Sequence, residues 1–233
     1  MSGLRSPRAL LLALGALALV LLAGCGSSGG GGDTQAATTA SADDNPCRTV
    51  DAPAPKGGQH LRKPQGLLDP SKRWDVRFTT NCGSFTIRLD TARAPKTAAS
   101  FAYLVRKGFY DGLTFHRIAP NFVIQGGDPT GTGSGGPGYT VVERPPSGLK
   151  YWHGVVAMAK TGSEPDGASG SQFFVVTAQD AGLPPQYALA GRVVQGLETV
   201  DTIGVLPLQD PTAQMGSPPA DPVVIESARL TSH

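Results

Sequence analysis

The run Phe115-His116-Arg117-Ile118-Ala119-Pro120-Asn121-Phe122-Val123-Ile124-Gln125-Gly126-Gly127-Asp128 decides how the chain is read. Two short apolar stretches flank Pro120 and Asn121, which reads as two strands around a tight turn. Alternate side chains of a strand share a face. Phe115 and Arg117 are therefore expected side by side, as are Val123 and Gln125 beyond the turn, with His116 on the opposite face. A fixed cation among apolar groups suits a neutral substrate that needs one strong hydrogen bond.

Working outward, residues 74–80 and 84–90 alternate around Asn81-Cys82-Gly83 and predict a hairpin. Pro95 stands where a first helical residue belongs, and Ala98, Phe101, Leu104 and Val105 follow at helical spacing up to Gly108. Further strands are expected over 114–118, 121–125, 154–159, 172–177, 188–194 and 222–230, with a short helix near 197–203. Many strands, two helices and no strand-helix alternation favour a closed antiparallel β-barrel over a parallel sheet.

Composition narrows the function. The chain has 233 residues and a mass of 24.0 kDa, enough for one domain with appendages. Charged residues are 16%, against 31 Gly and 20 Pro, a loop-rich balance that disfavours a helical bundle. The net charge of +2 comes without a Lys/Arg run, so no nucleic-acid partner is expected. Gly131-Thr132-Gly133-Ser134-Gly135-Gly136 has dinucleotide-loop spacing but runs into Pro137-Gly138 instead of opening a helix. Around Ser134 and Ser169 the G-x-S-x-G pattern of serine hydrolases is not met. His60, His116, His153 and His233 lack ligand spacing and there is no C-x-x-C, so neither a metal nor a cofactor is expected.

The opening run resembles the signature of the cyclophilins, the peptidyl-prolyl cis-trans isomerases. Gly170-Ser171-Gln172-Phe173-Phe174, with Gly154-Val155-Val156-Ala157-Met158-Ala159 before it, resembles their second signature, and Asp90 to Thr97 with Phe101 looks like their first helix. The similarity spans about residues 74–230. It implies a mainly β fold, a closed, antiparallel, eight-stranded cyclophilin-like barrel with two capping helices, and rotation about X-Pro bonds of proline-containing polypeptides by a monomer without cofactor. It implies catalytic roles for Arg117, Phe122 and Gln125, and a proline pocket of Phe122, Val123, Phe174 and Leu183. Gln172, the rim Gly131-Thr132-Gly133, the edge Ala159-Lys160 and Tyr187 are implied as further substrate-binding positions. Because isomerisation transfers no proton, His116 is read as a core or supporting residue, and His153 is given no role.

The sequence departs from the family where Val123 replaces a frequent Met, Lys160 a frequent Asn, Tyr187 a frequent His and Ala190 a usual Phe. Gly182 stands where eukaryotic members carry the Trp that lines the cyclosporin site, so strong binding of that drug is not expected. A prolyl-peptide scaffold without catalysis is the alternative function. A solute-binding lipoprotein is disfavoured because such proteins usually need two lobes.

Ahead of the domain, Arg5 and Arg8 precede an apolar run over residues 10–22 and the tetrapeptide Leu22-Ala23-Gly24-Cys25, which resembles a bacterial lipobox. Residues 1–24 are read as a lipoprotein signal, against an ordinary cleaved secretory signal. Cys25 is read as the lipidated residue that anchors the protein to the outer, exported face of the cell membrane. Residues 25–44 read as a flexible tether spanning about 20–25 Å, residues 45–72 as an N-terminal extension, and residues 73–233 as the isomerase domain. An exported compartment permits a Cys47–Cys82 disulfide pinning the extension to the first hairpin, two free thiols being the alternative.

Overall fold

The first hairpin shows how the alternation works. In the computed structural model, which describes residues 45–233, β1 (Trp74–Thr80) and β2 (Gly83–Leu89) pair in the register Asp75 with Arg88 through Thr80 with Gly83. Val76, Phe78, Phe85 and Ile87 are buried to 1% exposure or less, and the Phe78 and Phe85 rings stack at 5.2 Å. Residues 1–24, Cys25 and the tether lie outside the described residues.

Helix α1 (Pro95–Arg106) follows, with Pro95 in its first turn, where the missing N–H costs nothing. Ala98, Phe101, Leu104 and Val105 are buried, as their spacing predicts. Its N-cap, Ala94, has no side-chain acceptor. The cap comes from far along the chain, where the Glu143 carboxylate accepts the Lys96 and Thr97 N–H groups at 3.0 and 2.7 Å.

The remaining elements are β3 (Arg117–Ala119), β4 (Val123–Gly126), β5 (Val141–Val142), β6 (Val155–Met158), β7 (Ala168–Ser169), β8 (Phe173–Val176), β9 (Leu189–Gln195), α2 (Leu197–Gly204) and β10 (Ile225–Ser232). Gly196, which caps α2 at φ +73°, lies so near β2 that a Cβ there would stand 2.2 Å from the Ser84 carbonyl oxygen. Eight strands form one antiparallel sheet in the order β10-β1-β2-β9-β6-β8-β4-β3, while β5 and β7 form a separate pair.

The expected closed barrel is corrected here, because no continuous ladder joins β3 to β10 and the sheet is an open half-barrel. The seam is spanned by isolated bridges, Thr114 with Val224 and Ile118 with Ser217, and by single backbone hydrogen bonds such as Phe115 N–H to the Val223 carbonyl at 2.9 Å and Ile225 N–H to the Leu113 carbonyl at 2.7 Å. Pro218, Pro219 and Pro222, which have no N–H to donate, stand between the bonds made by Ser217 and those made by Val223 and Ile225, so the ladder along the seam is interrupted.

A second correction concerns Phe115. Its ring is fully buried in the interior, 5.9 Å from that of Phe173, whereas Arg117 points out of the sheet toward Gln125. The alternation argument failed because the extended strand begins only at Arg117, leaving residues 115 and 116 outside it.

Two apolar clusters sit on opposite faces of the sheet. The interior holds Phe78, Phe85, Phe101, Tyr110, Phe115 and Phe173. On the outer face lie Val123, Tyr151, Ala157, Phe174, Val176 and Leu189, flanked by Phe122, Leu183 and Tyr187. Phe173 and Phe174 are thus divided between the faces, as neighbours in a strand must be.

Candidate active site

Strand register builds the site. Arg117 pairs with Gln125, Gln125 with Phe174, Phe174 with Ala157 and Ala157 with Leu189, one row of residues across β3, β4, β8, β6 and β9. Adjacent strands are about 4.8 Å apart, so the guanidinium end of the row and the Phe174 ring lie within the span of a short peptide. The turn feeding this row is made by Asn121 at φ +55°, the only non-glycine residue with positive φ among the described residues. Asn tolerates that conformation, and Phe122 after it enters the outer apolar cluster.

Arg117 is half-buried and held from two sides. Nε donates to the Met215 carbonyl at 2.6 Å and Nη1 to Gln125 Oε1 at 2.9 Å. Gln125 Nε2 in turn donates to Gln172 Oε1 at 3.0 Å, and Gln172 Nε2 to the Gly133 and Gly135 carbonyls at 2.8 and 2.9 Å. Among the described residues no carboxylate lies within ion-pair distance of Arg117. Burial lowers its pKa from the ordinary value, opposed by Tyr187; a guanidinium so far above neutrality stays charged.

The glycine loop that ends this relay is itself tied down. Asp128 accepts the Thr130 and Gly133 N–H groups at 2.7 and 2.5 Å and the Thr130 hydroxyl at 2.8 Å. Burial raises the Asp128 pKa, yet the hydrogen bonds from Thr130, Gly135 and Gly133 outweigh it and hold the carboxyl below its usual range.

Phe174 meets Tyr187 edge-on at 5.4 Å, and Tyr151 braces the Tyr187 backbone, donating its hydroxyl to the carbonyl at 2.7 Å and accepting the N–H at 3.0 Å. Burial pushes the Tyr151 phenol up to about 12. Phe122, Val123, Phe174, Leu183 and Tyr187 therefore share one apolar cluster beside Arg117. Next to it opens a groove of about 540 Å³ lined by Gln125, Gln172, Ala159, Lys160 and the loop Gly133 to Thr140. The Lys160 ammonium donates to the Thr161 and Glu164 carbonyls and sits 5.8 Å from the centre of the Tyr187 ring.

Gly131 is not brought to this groove. It is exposed, and of the expected rim Gly131-Thr132-Gly133 only Gly133 lines the groove, with Ser134 to Gly138 completing it. His116 keeps both ring nitrogens buried without a hydrogen bond among the described residues, and burial lowers its pKa. His153 meets Asp201 at 2.7 Å, linking its loop to α2. Gly182 is exposed at φ +63°, and among the described residues no atom lies within 4 Å of where its side chain would start. Cys47 and Cys82 are joined as a disulfide. Among the described residues no cluster of His, Cys, Asp or Glu could hold a metal, and no helix is long and apolar enough to cross a membrane.

Sequence reasoning missed the Met215, Gly133 and Gly135 carbonyls and the role of Asp128. Only Asp128 had a local signal, the turn sequence Asp128-Pro129-Thr130-Gly131.

The chain belongs to the cyclophilin-type peptidyl-prolyl cis-trans isomerase family, whose sequence model, described as cyclophilin type peptidyl-prolyl cis-trans isomerase/CLD, matches residues 75–230. A peptidyl-prolyl cis-trans isomerase-like 1 of Aspergillus fumigatus is 41% identical over 136 residues, which cover 57% of this chain and 83% of the relative. The Bos taurus protein of the same name is 41% identical over 144 residues, 59% of this chain and 85% of its own. Among solved structures, a Cryptosporidium parvum cyclophilin-type peptidyl-prolyl isomerase superposes with TM-score 0.61 at 32% identity, covering 69% of this chain and 99% of the other. The same protein crystallised in the presence of the dipeptide Ala-Pro gives the same TM-score, covering 68% and 99%.

Proposed function

We propose that this protein catalyses cis-trans isomerisation of X-Pro bonds in polypeptides at the site centred on Arg117. The observation that carries the reading is the row Arg117-Gln125-Phe174, which sets a guanidinium, without a carboxylate partner among the described residues, at the border of an apolar pocket. Rotation about a prolyl bond must break amide resonance, a barrier of about 18–20 kcal/mol, and no covalent step is needed. The enzyme has only to bind the twisted amide better than either planar isomer.

In this reading Phe122, Val123, Phe174 and Leu183 hold the proline ring and exclude water. As the bond twists, the prolyl nitrogen becomes pyramidal and basic. An Arg117 N–H not engaged by Met215 or Gln125 donates to it or to the neighbouring carbonyl, a preorganised bond that strengthens as charge shifts. Gln125 aims the guanidinium, and Gln172 fixes Gln125. The Lys160 N–H and C=O make no hydrogen bond among the described residues, which leaves them free to pair with an extended substrate backbone alongside the groove.

Exchange NMR of a short X-Pro peptide tests this. The native chain should speed exchange and Arg117→Ala should abolish that effect while keeping the fold. Slow exchange with both proteins, with peptide resonances still shifting on binding, would leave a non-catalytic prolyl-peptide scaffold.

The site of action we propose is the exported face of a membrane, with Cys25 carrying lipid and the clients being exported or envelope proteins. Support comes from Arg5, Arg8, the apolar run over residues 10–22 and the tetrapeptide ending at Cys25. Cleavage there would remove two cations and leave a mature chain of zero net charge, so acyl chains and not charge would hold it. Cys25→Ala should move the protein from the membrane to the soluble fraction; unchanged fractionation would refute the anchor.

A further inference from the structure

The loop that supplies the groove rim carries Gly131, Gly133, Gly135 and Gly136 in six residues, a stretch with little conformational preference of its own. Yet two carbonyls of this stretch, Gly133 and Gly135, must stand still to hold Gln172. What holds them comes partly from outside the 75–230 match that defines the family.

The extension threads past the back of this loop and is bonded to both of its ends. Lys56 N–H donates to the Pro129 carbonyl at 2.8 Å, where the loop starts, and Leu61 N–H donates to the Pro137 carbonyl at 2.8 Å, where it finishes. Gly138 packs so closely that a Cβ there would stand 2.5 Å from the Gln59 carbonyl oxygen. The extension is itself anchored. Its start is fixed by the Cys47–Cys82 disulfide and by the exchange of Arg48 N–H to the Asn81 carbonyl at 2.9 Å with Asn81 Nδ2 to the Arg48 carbonyl at 2.8 Å. The Lys56 ammonium donates to the Phe109 carbonyl at 3.2 Å and also to that of Asp111. Leu61 packs its side chain against the interior cluster.

We infer that residues 47–61 are a positioning strap for the active site, holding the loop Pro129–Pro137 so that its carbonyls fix Gln172, and through Gln125 the aim of Arg117. The inference rests on the isomerase reading of that site. It makes Lys56 and Leu61 positioning residues that touch no substrate, and it assigns the extension a part in turnover as well as in folding.

The test uses the full chain. Leu61→Pro removes the N–H that binds Pro137, while Leu61→Ala trims the side chain and keeps that donor. With isotope-labelled protein, the side-chain amide resonances of Gln172 and Gln125 report the relay, and exchange NMR on an X-Pro peptide reports kcat/KM. Leu61→Pro should shift both glutamine signals and lower kcat/KM about ten-fold, since small misplacements of catalytic groups carry large costs. Leu61→Ala, which loses apolar packing but keeps the N–H bonded to Pro137, should stay within about two-fold. Unmoved glutamine signals with unchanged kcat/KM in Leu61→Pro would overturn the inference, as would an equal loss in Leu61→Ala. If Leu61→Pro does not fold, Lys56→Met, which releases the Phe109 and Asp111 carbonyls, should act in the same direction, and its silence in both readouts refutes the strap. If the native chain itself does not isomerise the peptide, the functional reading fails, while the glutamine resonances of the same variants still decide whether the strap holds the relay.

Discussion

Replacing Arg117 with lysine keeps the positive charge and removes the fork that aims it. In the native chain, bonds of 2.6 Å to the Met215 carbonyl and 2.9 Å to Gln125 Oε1 leave the guanidinium in different directions and fix its plane. A lysine ammonium is a single point on a flexible stem and cannot hold both acceptors while facing a substrate atom from the same place. A preorganised donor aimed at developing charge is worth about 2.7–4 kcal/mol, or about 10²–10³ in kcat. The attraction of a loosely held charge at a half-exposed surface is screened and recovers only part of that. Arg117→Lys should therefore lower kcat/KM about 10²-fold and Arg117→Ala about 10³-fold. Stability should change less. Losing two hydrogen bonds costs about 1–3 kcal/mol, offset in part because the cation is no longer held out of water, so Tm should fall by less than about 10 °C. The assay is exchange NMR of an X-Pro peptide with catalytic amounts of each full chain, well below the lower Tm. A lysine variant within about three-fold of the native rate, a difference of less than about 1 kcal/mol, would refute the claim that geometry and not charge alone carries the effect.

Other outcomes follow from the same structure. Glu143→Ala removes the only side-chain acceptor found at the start of α1 among the described residues; it should cost about 0.5–2 kcal/mol, the usual worth of a helix cap, lowering Tm with no change in kcat/KM. Asp128 has its folded pKa depressed below 3.8, so its stabilising contribution is complete above that value and is lost as pH falls through the lower folded value. Denaturant titrations of the native chain and Asp128→Asn should therefore converge as pH drops from about 5 to about 2, and a gap independent of pH would disprove the role. Because Gly182 presents no side chain at the pocket edge, cyclosporin at equimolar concentration should leave isomerisation unimpaired; full inhibition would show that the missing wall is not needed.

Much of the site was legible because it is local. Arg117, Phe122, Val123 and Gln125 fall within nine residues, and strand alternation with one Pro-Asn turn is enough to place the last two on one face. Phe173 and Phe174 are separated the same way. The reasoning broke where local geometry is irregular. Phe115 lies just before the strand begins, so the period of two did not apply, and Gly131 is a turn residue whose neighbours, not itself, reach the groove. The half-barrel also escaped prediction, because a strand pattern counts strands and does not say whether the last ladder closes.

By itself the sequence determined which residues alternate, where proline, asparagine and glycine turn the chain, and which side chains carry chemistry, since each of these follows from backbone sterics and side-chain type within a few residues. Tertiary structure alone decided which distant groups meet: Met215 with Arg117, Gly133 with Gln172, Glu143 with the start of α1, and Leu61 with Pro137. In three of these four meetings the acceptor is a main-chain carbonyl. Every residue has one, so it leaves no mark in the sequence, and only the path of the folded chain selects the carbonyl that is used.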